Sequence, residues 1–514
     1  MKEKYGQYMT PNIIADFMCS LIEHDKTCRV LEPSSGKGVF LDTLENYGFT
    51  NYIGYEIDSE LINNKNVINR SFVSEDFSEK FDVIIGNPPY IRWKNLEENL
   101  KEELLNNSLF NKYLNALNDY SAMFILKSVE LLNDGGELIF ITPDYWLDTT
   151  HCQNLRDYLA NNGYFTDLFL FKETPIFKGV NVSLQVFRYI KGENKTNKNI
   201  NIHLYNNQKR DSDFERLIQD LKNKKSNKLI NEYEIKQFLP KNKWLIVNDQ
   251  ELNDITVLEN GCKKNLLDYS TLEEVCEIGN GMVSGLDKAF QIKDFDSLND
   301  FEKQHTIKVI KAKNLNPYCY DDFTHYIFLE NAGIKSEEEL IKKCPNFYNI
   351  LLPYKDDLLK RYSYNREIDY WMWVFLRNYK LFSENENKVF VPCKERISNK
   401  DYHRFCLTNG YIFPTQDVSA VIPFPETKES IEYIAAHLNS SLVFNWLKHK
   451  GIVKGNIVEF SRAPLASIPF RRIDFSNAKE ASIHDEITKT VKLYLETKDE
   501  VLLKNINSLI NDLY

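Results

Sequence analysis

No Cys-x-x-Cys pair occurs in these 514 residues, and the nine cysteines are scattered and odd in number. Neither a metal site nor a disulfide framework is therefore indicated. No apolar run approaches the roughly 20 residues that a membrane span needs, and the first residues show no signal-peptide hydrophobic segment. These absences lead to the expectation of a reducing cytoplasm and no membrane partner. An excess of basic charge is lacking too: 64 Lys and Arg stand against 74 Asp and Glu, a formal net charge of −10. That argues mildly against a nucleic-acid partner, although a sum does not exclude a basic cleft. What is present, 43% hydrophobic and 27% charged residues, is ordinary for a globular chain with room for two or three domains.

The stretch around which the rest is organised is Phe81-Asp-Val-Ile-Ile-Gly-Asn-Pro-Pro-Tyr90. Its short β-branched run reads as a buried parallel strand. Pro88 and Pro89 cannot continue a central strand, so Asn87-Pro-Pro-Tyr90 forms a stiff loop at its carboxyl end. Open α/β sheets place their ligands there. The Asn87 side-chain carbonyl and the Pro88 carbonyl are two fixed acceptors, suited to both hydrogens of a planar –NH2 group, and Tyr90 offers a face for a heterocycle. Four letters alone also fit a tight structural turn.

Upstream, Gly6-Gln-Tyr-Met-Thr-Pro reads as a loop entering a helix, with Thr10 as N-cap, Pro11 in the first helical position and an apolar stripe from Ile13 to Leu21. Arg29-Val-Leu-Glu-Pro-Ser-Ser-Gly-Lys-Gly is a strand, a glycine turn and a helix start; Gly36 and Gly38 permit close approach of a ligand, and Glu32 ends the strand. A second strand, Tyr52 to Asp58, carries Glu56, 20 residues beyond Gly36, the spacing of a carboxylate that grips ribose hydroxyls. The third glycine of the dinucleotide fingerprint is missing and the loop is too short for a Walker loop, so a nucleoside without pyrophosphate fits better. A third strand near Val67 to Val73 leads to Asp76 and Phe77, an acid beside an aromatic suited to an adenine. Each of these acids read singly is as well a solvated surface residue; all at strand ends in this order point to a site.

In this order of motifs the chain from Gly6 to about Tyr189 resembles the γ-class, TaqI-type DNA adenine-N6 methyltransferases of restriction–modification systems. Asp119 to Leu132 as an amphipathic helix, Asp134-Gly-Gly, the strand Glu137 to Ile141, Thr142-Pro-Asp-Tyr-Trp-Leu, Pro175-Ile-Phe-Lys-Gly and Ser183-Leu-Gln-Val-Phe-Arg continue the match. The resemblance implies a Rossmann-like α/β sheet of the class I S-adenosylmethionine-dependent type, with helices on both faces, followed by a mixed α/β target-recognition domain. It implies S-adenosylmethionine as methyl donor. Tyr8, Met9, Thr10, Glu32, Ser34, Gly36 and Gly38 would lie toward its methionine end. Glu56, Ile57, Asp76 and Phe77 would meet its ribose and adenine, with Asn87 and Pro89 alongside. Lys37 departs from the smaller residue expected in the glycine turn and is expected to face solvent. Asn87, Pro88, Tyr90 and Phe177 would hold a flipped adenine for direct methyl transfer. Cytosine-C5 chemistry needs a Pro-Cys nucleophile; Pro392-Cys393 lies far outside the cofactor fold and reads as a buried structural cysteine.

The expected organisation is 1–190 for the catalytic domain, 191–242 for an Asn/Lys-rich linker around one helix (Phe214 to Leu221), 243–472 for target recognition and 473–514 for a helical tail. Glu277-Ile-Gly-Asn-Gly-Met-Val-Ser-Gly resembles the opening of the family's recognition domain. Arg361-Tyr-Ser-Tyr-Asn-Arg, Tyr370-Trp-Met-Trp and Lys394-Glu-Arg interleave basic and aromatic residues as a DNA-facing surface does, although aromatic runs are more often core. The expectation is a monomeric, nucleoid-associated enzyme of a prokaryotic cytoplasm, acting on double-stranded DNA, solitary or paired with a cognate restriction endonuclease. The same Asn-Pro-Pro-Tyr geometry serves methyltransferases of protein glutamine and of ribosomal RNA bases. Those glutamine enzymes carry their small extra domain before the cofactor fold, whereas the extra mass here follows it. A non-catalytic specificity subunit is disfavoured by the intact motifs, and a fused nuclease by the expectation that neither end of the chain has room for one.

Overall fold

A computed structural model describes residues 8–172, 174–177, 182–205, 214–265, 268–384, 387–397, 400–454 and 456–514. The chain divides into two compact units, Met1–Asn248 and Asp249–Tyr514.

In the first unit the described residues form a nine-stranded sheet in the order β3-β2-β1-β4-β5-β7-β6-β8-β9. The strands are β1 (Val30–Glu32), β2 (Tyr52–Tyr55), β3 (Val67–Ile68), β4 (Phe81–Gly86), β5 (Leu132–Pro143), β6 (Gly163–Lys172), β7 (Leu184–Lys191), β8 (Ile200–Tyr205) and β9 (Ile230–Ile235). β3, β2, β1, β4 and β5 run parallel, and β7 lies antiparallel between β5 and β6. The central strands are apolar on both sides because both faces are covered. Val30, Val83, Ile85, Ile139 and Ile141 pack with α1 (Asn12–Ser20) and α2 (Val39–Asn46). Leu31, Ile84, Leu138 and Phe140 pack on the opposite face with α3 (Glu98–Leu105), α4 (Ser108–Tyr113), α5 (Tyr120–Leu131) and α6 (Gln153–Asn162). β1 pairs with β2 on one side and β4 on the other, so the strand order reverses there. The crevice beyond the carboxyl ends of β1 and β4 is the place where such a sheet binds a ligand.

Several expectations change. The 191–242 stretch is not a linker: β8 and β9 extend the sheet, and α7 (Phe214–Lys222) buries Leu217, Ile218 and Leu221 in the core shared with α1. Its Asn- and Lys-rich composition belongs to the turns and to an edge strand, β9, in which Ile230 is buried and Asn231, Glu232 and Glu234 are exposed. β3 stops at Ile68 rather than Val73. α5 is buried all round, from Tyr120 through Val129, rather than amphipathic.

The second unit opens with α8 (Asp249–Gly261). One sheet runs in the order Cys276–Asn280, Val418–Pro423, Lys388–Pro392, Cys406–Thr408. The strands of two three-stranded sheets are interleaved with it in sequence, and Phe290, Tyr326, Phe347, Trp373, Phe382 and Phe390 pack in one core cluster of this unit. The expected tail is a helix pair, Ala478–Thr497 and Val501–Asn511, built into this unit: Ser430 N donates to His484 Nε2 at 3.0 Å, and the Ser430 and Thr488 hydroxyls are 2.7 Å apart. Among the described residues no helix is long and apolar enough to cross a membrane.

Candidate active site

A cavity of about 320 Å³ opens at the β1/β4 crevice. The loop after β1 supplies Glu32, Ser34, Ser35, Gly36 and Lys37; β2 ends at Glu56 and Ile57; the loop after β4 supplies Asn87, Pro88 and Pro89. Tyr8, Met9 and Thr10 close it from the N-terminal side. Gly36 and Gly38 have φ of +51° and +84°, a region that only glycine enters without strain, and the Gly38 N–H donates to Ser35 O at 2.7 Å. Gly36 lines the cavity, whereas Gly38 shapes the turn and starts α2. Exposed Lys37 stands at the rim.

Asn87 is held in one orientation. Its Nδ2 donates to Tyr8 O at 2.9 Å and to Thr10 Oγ1 at 3.0 Å. A backbone carbonyl only accepts, so the atom facing Tyr8 must be the amide nitrogen, and the amide cannot be flipped. Among the described residues Oδ1 is left buried and without a hydrogen-bond partner. The Ser34 hydroxyl donates to Asn87 O at 3.1 Å and fixes the backbone. Thr10 is thus not the expected helix cap: α1 starts after Pro11, makes no side-chain cap bond, and the Thr10 hydroxyl serves Asn87.

Two further buried polar atoms of cavity-lining residues have no partner among the described residues, Glu32 Oε2 and Ser35 Oγ. Burial, and behind it the neighbouring Glu56, holds the Glu32 carboxyl well above the usual carboxylate range. Glu56 is raised by burial as well, against which the backbone N–H groups of Asp58 and Gly36 pull it down. They donate to its two oxygens at 2.9 and 2.7 Å. Orphaned buried acceptors and hydroxyls at one cavity are the signature of a missing polar ligand.

Tyr90 is fixed by its hydroxyl, which donates to Ile141 O at 2.9 Å; burial lifts that phenol well above its ordinary range. Buried Phe177 comes to 6.4 Å from the Tyr90 ring, and Tyr8 lies 5.8 Å from both. This aromatic cluster joins the cavity through Tyr8.

Asp76 and Phe77 stand apart from the cavity lining. Asp76 is exposed, and Phe77 packs against Tyr55, Phe72 and Phe81; neither lines the cavity. Arg70, Ser71 and Phe72 do, together with Tyr120 and Phe124 of α5. The physical reason is the end of β3: ligand-facing residues follow a strand's carboxyl end, and this strand ends five residues earlier than its apolar letters suggest. Cys393 is half-buried and its thiol faces Gln416 O.

The parallel sheet reversing at β1/β4, with the antiparallel β7 inserted between β5 and β6 and a cavity at the reversal, is the frame of a class I methyltransferase, whose methyl donor is S-adenosylmethionine. Residues 20–177 match the model of the Eco57I restriction-modification methylase family. Over 516 residues the chain is 46% identical to the type II methyltransferase M.HindII of Haemophilus influenzae, covering 98% of this chain and 97% of that protein. Over 508 residues it is 44% identical to M.HincII of Haemophilus influenzae, with the same coverage. The chain belongs to the DNA methyltransferases of type II restriction–modification systems. Among solved structures, the type IIL restriction-modification enzyme MmeI, solved in complex with DNA, shares the fold: TM-score 0.62 over 98% of this chain and 71% of that one, at 12% identity.

Proposed function

We propose that the chain is a site-specific DNA adenine-N6 methyltransferase that works on a base flipped out of the duplex. The observation that carries this reading is Asn87 Oδ1, a buried acceptor without a partner among the described residues, fixed by the Nδ2 bonds to Tyr8 and Thr10 and next in the chain to Pro88, which also lines the cavity. Two adjacent acceptors suit an exocyclic amino group; they do not suit a carbon nucleophile, and no cysteine stands among the cavity-lining residues.

When bound, S-adenosylmethionine supplies a methyl group on a sulfonium, a carbon open to direct in-line displacement. Glu56, its carboxylate oriented by the Gly36 and Asp58 N–H groups, would take the ribose hydroxyls. Ile57, Ser71 and Phe72 would flank the adenine, and Tyr8, Met9, Thr10 and Ser34 the methionine end. The target adenine would stack on Tyr90 with Phe177 beside it. Their rings, 6.4 Å apart at 55°, leave no parallel slot, so base entry turns Tyr8 or Phe177 aside. Asn87 Oδ1 and Pro88 O accept the two amino hydrogens and stabilise positive charge as N6 becomes tetrahedral. With the cofactor bound, the N6–C bond would form as the sulfonium S–C bond breaks, and N6 would lose one proton to solvent while Asn87 Oδ1 and Pro88 O keep hold of the amino group.

The second unit would read the duplex. Of the basic and aromatic stretches, Tyr370, Trp371 and Trp373 are core, but Tyr362, Tyr364 and Phe375 are exposed. Arg366 and Arg377 lie 5.5 and 5.4 Å from the Phe375 ring. Such a surface takes phosphates on its guanidinium groups and bases on its rings. Single-molecule sequencing of DNA from cells with and without the protein tests the whole reading. N6-methyladenine at one motif is expected; modification at cytosine instead would overturn the adenine assignment.

A further inference from the structure

α5 buries a lysine. Lys127 is 8% exposed, in a helix whose neighbouring positions are all apolar or small. An ammonium in such surroundings carries a large desolvation cost unless its hydrogens are taken up. Lys127 Nζ donates to two backbone carbonyls, Val73 O at 2.8 Å and Glu75 O at 2.6 Å. It also sits 5.4 Å from the centre of the Phe72 ring and 5.3 Å from that of Phe77. Asp76, Glu103, Glu130 and Glu75 act on it only through their field.

The segment it grips is irregular: Asn69 Nδ2 ties its start to Glu56 O at 2.8 Å, Glu75 N closes it on Ser71 O at 3.2 Å, and Phe72 and Val73 are buried. Between Ile68 and Phe81 no residue joins the ladder, and the other bonds to Val73 are a 3.2 Å contact from its own N–H to Ser71 Oγ and a 3.4 Å contact from Asn107 Nδ2. Yet this segment supplies Arg70, Ser71 and Phe72 to the cavity. Tyr120 and Phe124 of α5 line the same cavity, and Lys127 follows Phe124 by three residues, on the same side of the helix. Phe124 and Phe72 are in ring contact at 5.2 Å. One helix face therefore both forms a wall of the cavity and anchors the loop that forms the next wall.

We propose that Lys127 is a positioning residue for the cofactor, fixing Phe72 and the 70–75 loop as the surface that receives the adenine of S-adenosylmethionine. This rests on the reading of the cavity as the cofactor site. The lysine touches no reacting atom; its charge polarises the Phe72 ring from behind and its two hydrogen bonds set where that ring stands.

The test is Lys127→Met in the full chain, which keeps the length and removes the donors. S-adenosylhomocysteine affinity by titration calorimetry should fall at least tenfold, and KM for S-adenosylmethionine should rise in step. The kcat at saturating cofactor should stay within about threefold of wild type. Lys127→Arg, with charge and donors retained, should recover part of the affinity. Should Lys127→Met not fold, Phe72→Leu serves in its place and should show the same split between KM and kcat. Unchanged S-adenosylhomocysteine affinity in a folded Lys127→Met chain, with only a lower unfolding temperature, overturns the proposal and leaves Lys127 a packing residue. A wild-type chain that binds no S-adenosylhomocysteine overturns the cofactor reading itself, and the role of Lys127 with it.

Discussion

An amide that must present its oxygen needs something to hold its nitrogen, and Asn87 has that in the Tyr8 carbonyl and the Thr10 hydroxyl. Asn87→Ala should keep S-adenosylhomocysteine affinity within about threefold while kcat falls on the order of a hundredfold or more, the size seen when one preorganised polar partner is removed from a transition state. Thr10→Val, which removes one of the two holders, should lower single-turnover rate by a smaller factor and leave binding intact. If both variants lost affinity and rate together, the loop would be structural. At this scale much was legible. Asn87, Pro88, Glu32, Gly36 and Glu56 sit where strand ends and glycine spacing place them, because those positions are set by local chain chemistry. Ser71, Phe72 and Tyr120 were not, since nothing in the letters marks where β3 ends, and α5 reaches the cavity only through the fold.

Elements explain the other differences between sequence and structure. An edge ladder such as β8–β9 is polar on one face, and its composition is hard to tell from that of a linker. The loop from Arg361 to Arg377 shows the reverse problem, since one aromatic run supplies both core and surface. Arg361, which reads as a DNA contact, is spent inside: NH1 donates to Ser284 O at 2.9 Å and NH2 to Met372 O at 2.6 Å. Those bonds, and the paired backbone bonds of Val283 with Phe375, fix the loop to the glycine-rich opening of the unit. There Gly285 has φ +84°, and a Cβ would meet Val374 Cγ2 at 2.6 Å. Tyr364 and Asn365 also adopt left-handed φ of 55° and 59°, a cost borne by a loop that presents the Tyr364 ring outward, 4.7 Å from Tyr362. Tyr364→Ala combined with Phe375→Ala should weaken binding of the methylated motif's duplex by about tenfold in a gel-shift titration, about 1.4 kcal/mol. S-adenosylhomocysteine affinity, a property of the first unit, should not change. Equal duplex affinity for wild type and double variant would remove this loop from the reading surface.

The whole molecule divides into two compact units, each with its own buried interior, and unfolding need not be a single transition. The second unit has a feature that makes its stability depend on pH. His403 is buried against Phe405, Phe444 and Phe460, with both ring nitrogens lacking partners. His437 is buried too, with Nε2 2.8 Å from Pro469 O. Burial lowers His403 from its ordinary 6.5 to about 3 and His437 to about 4. In the unfolded chain each histidine takes up a proton as pH falls through about 6.5, whereas the folded unit refuses it until about pH 4 or 3. The unfolded state binds more protons throughout that window, so the folded state is fully favoured above pH 6.5 and loses about 1.4 kcal/mol per histidine for each unit of acidification below it. Carboxyl groups raised by burial, such as Glu32, act in the opposite sense, so the total slope alone does not isolate the histidines. A difference does. His403→Phe places an apolar ring among three phenylalanines and removes the titrating group. Urea unfolding of the full chain at pH 7, 6 and 5, followed on the second unit, should show wild type losing about 2 kcal/mol more than His403→Phe between pH 6.5 and 5. Parallel pH dependences would mean that the imidazole meets solvent or a partner in the folded chain. A greater loss in the variant would mean that its protonated form is stabilised by the fold, with the sign of the linkage reversed.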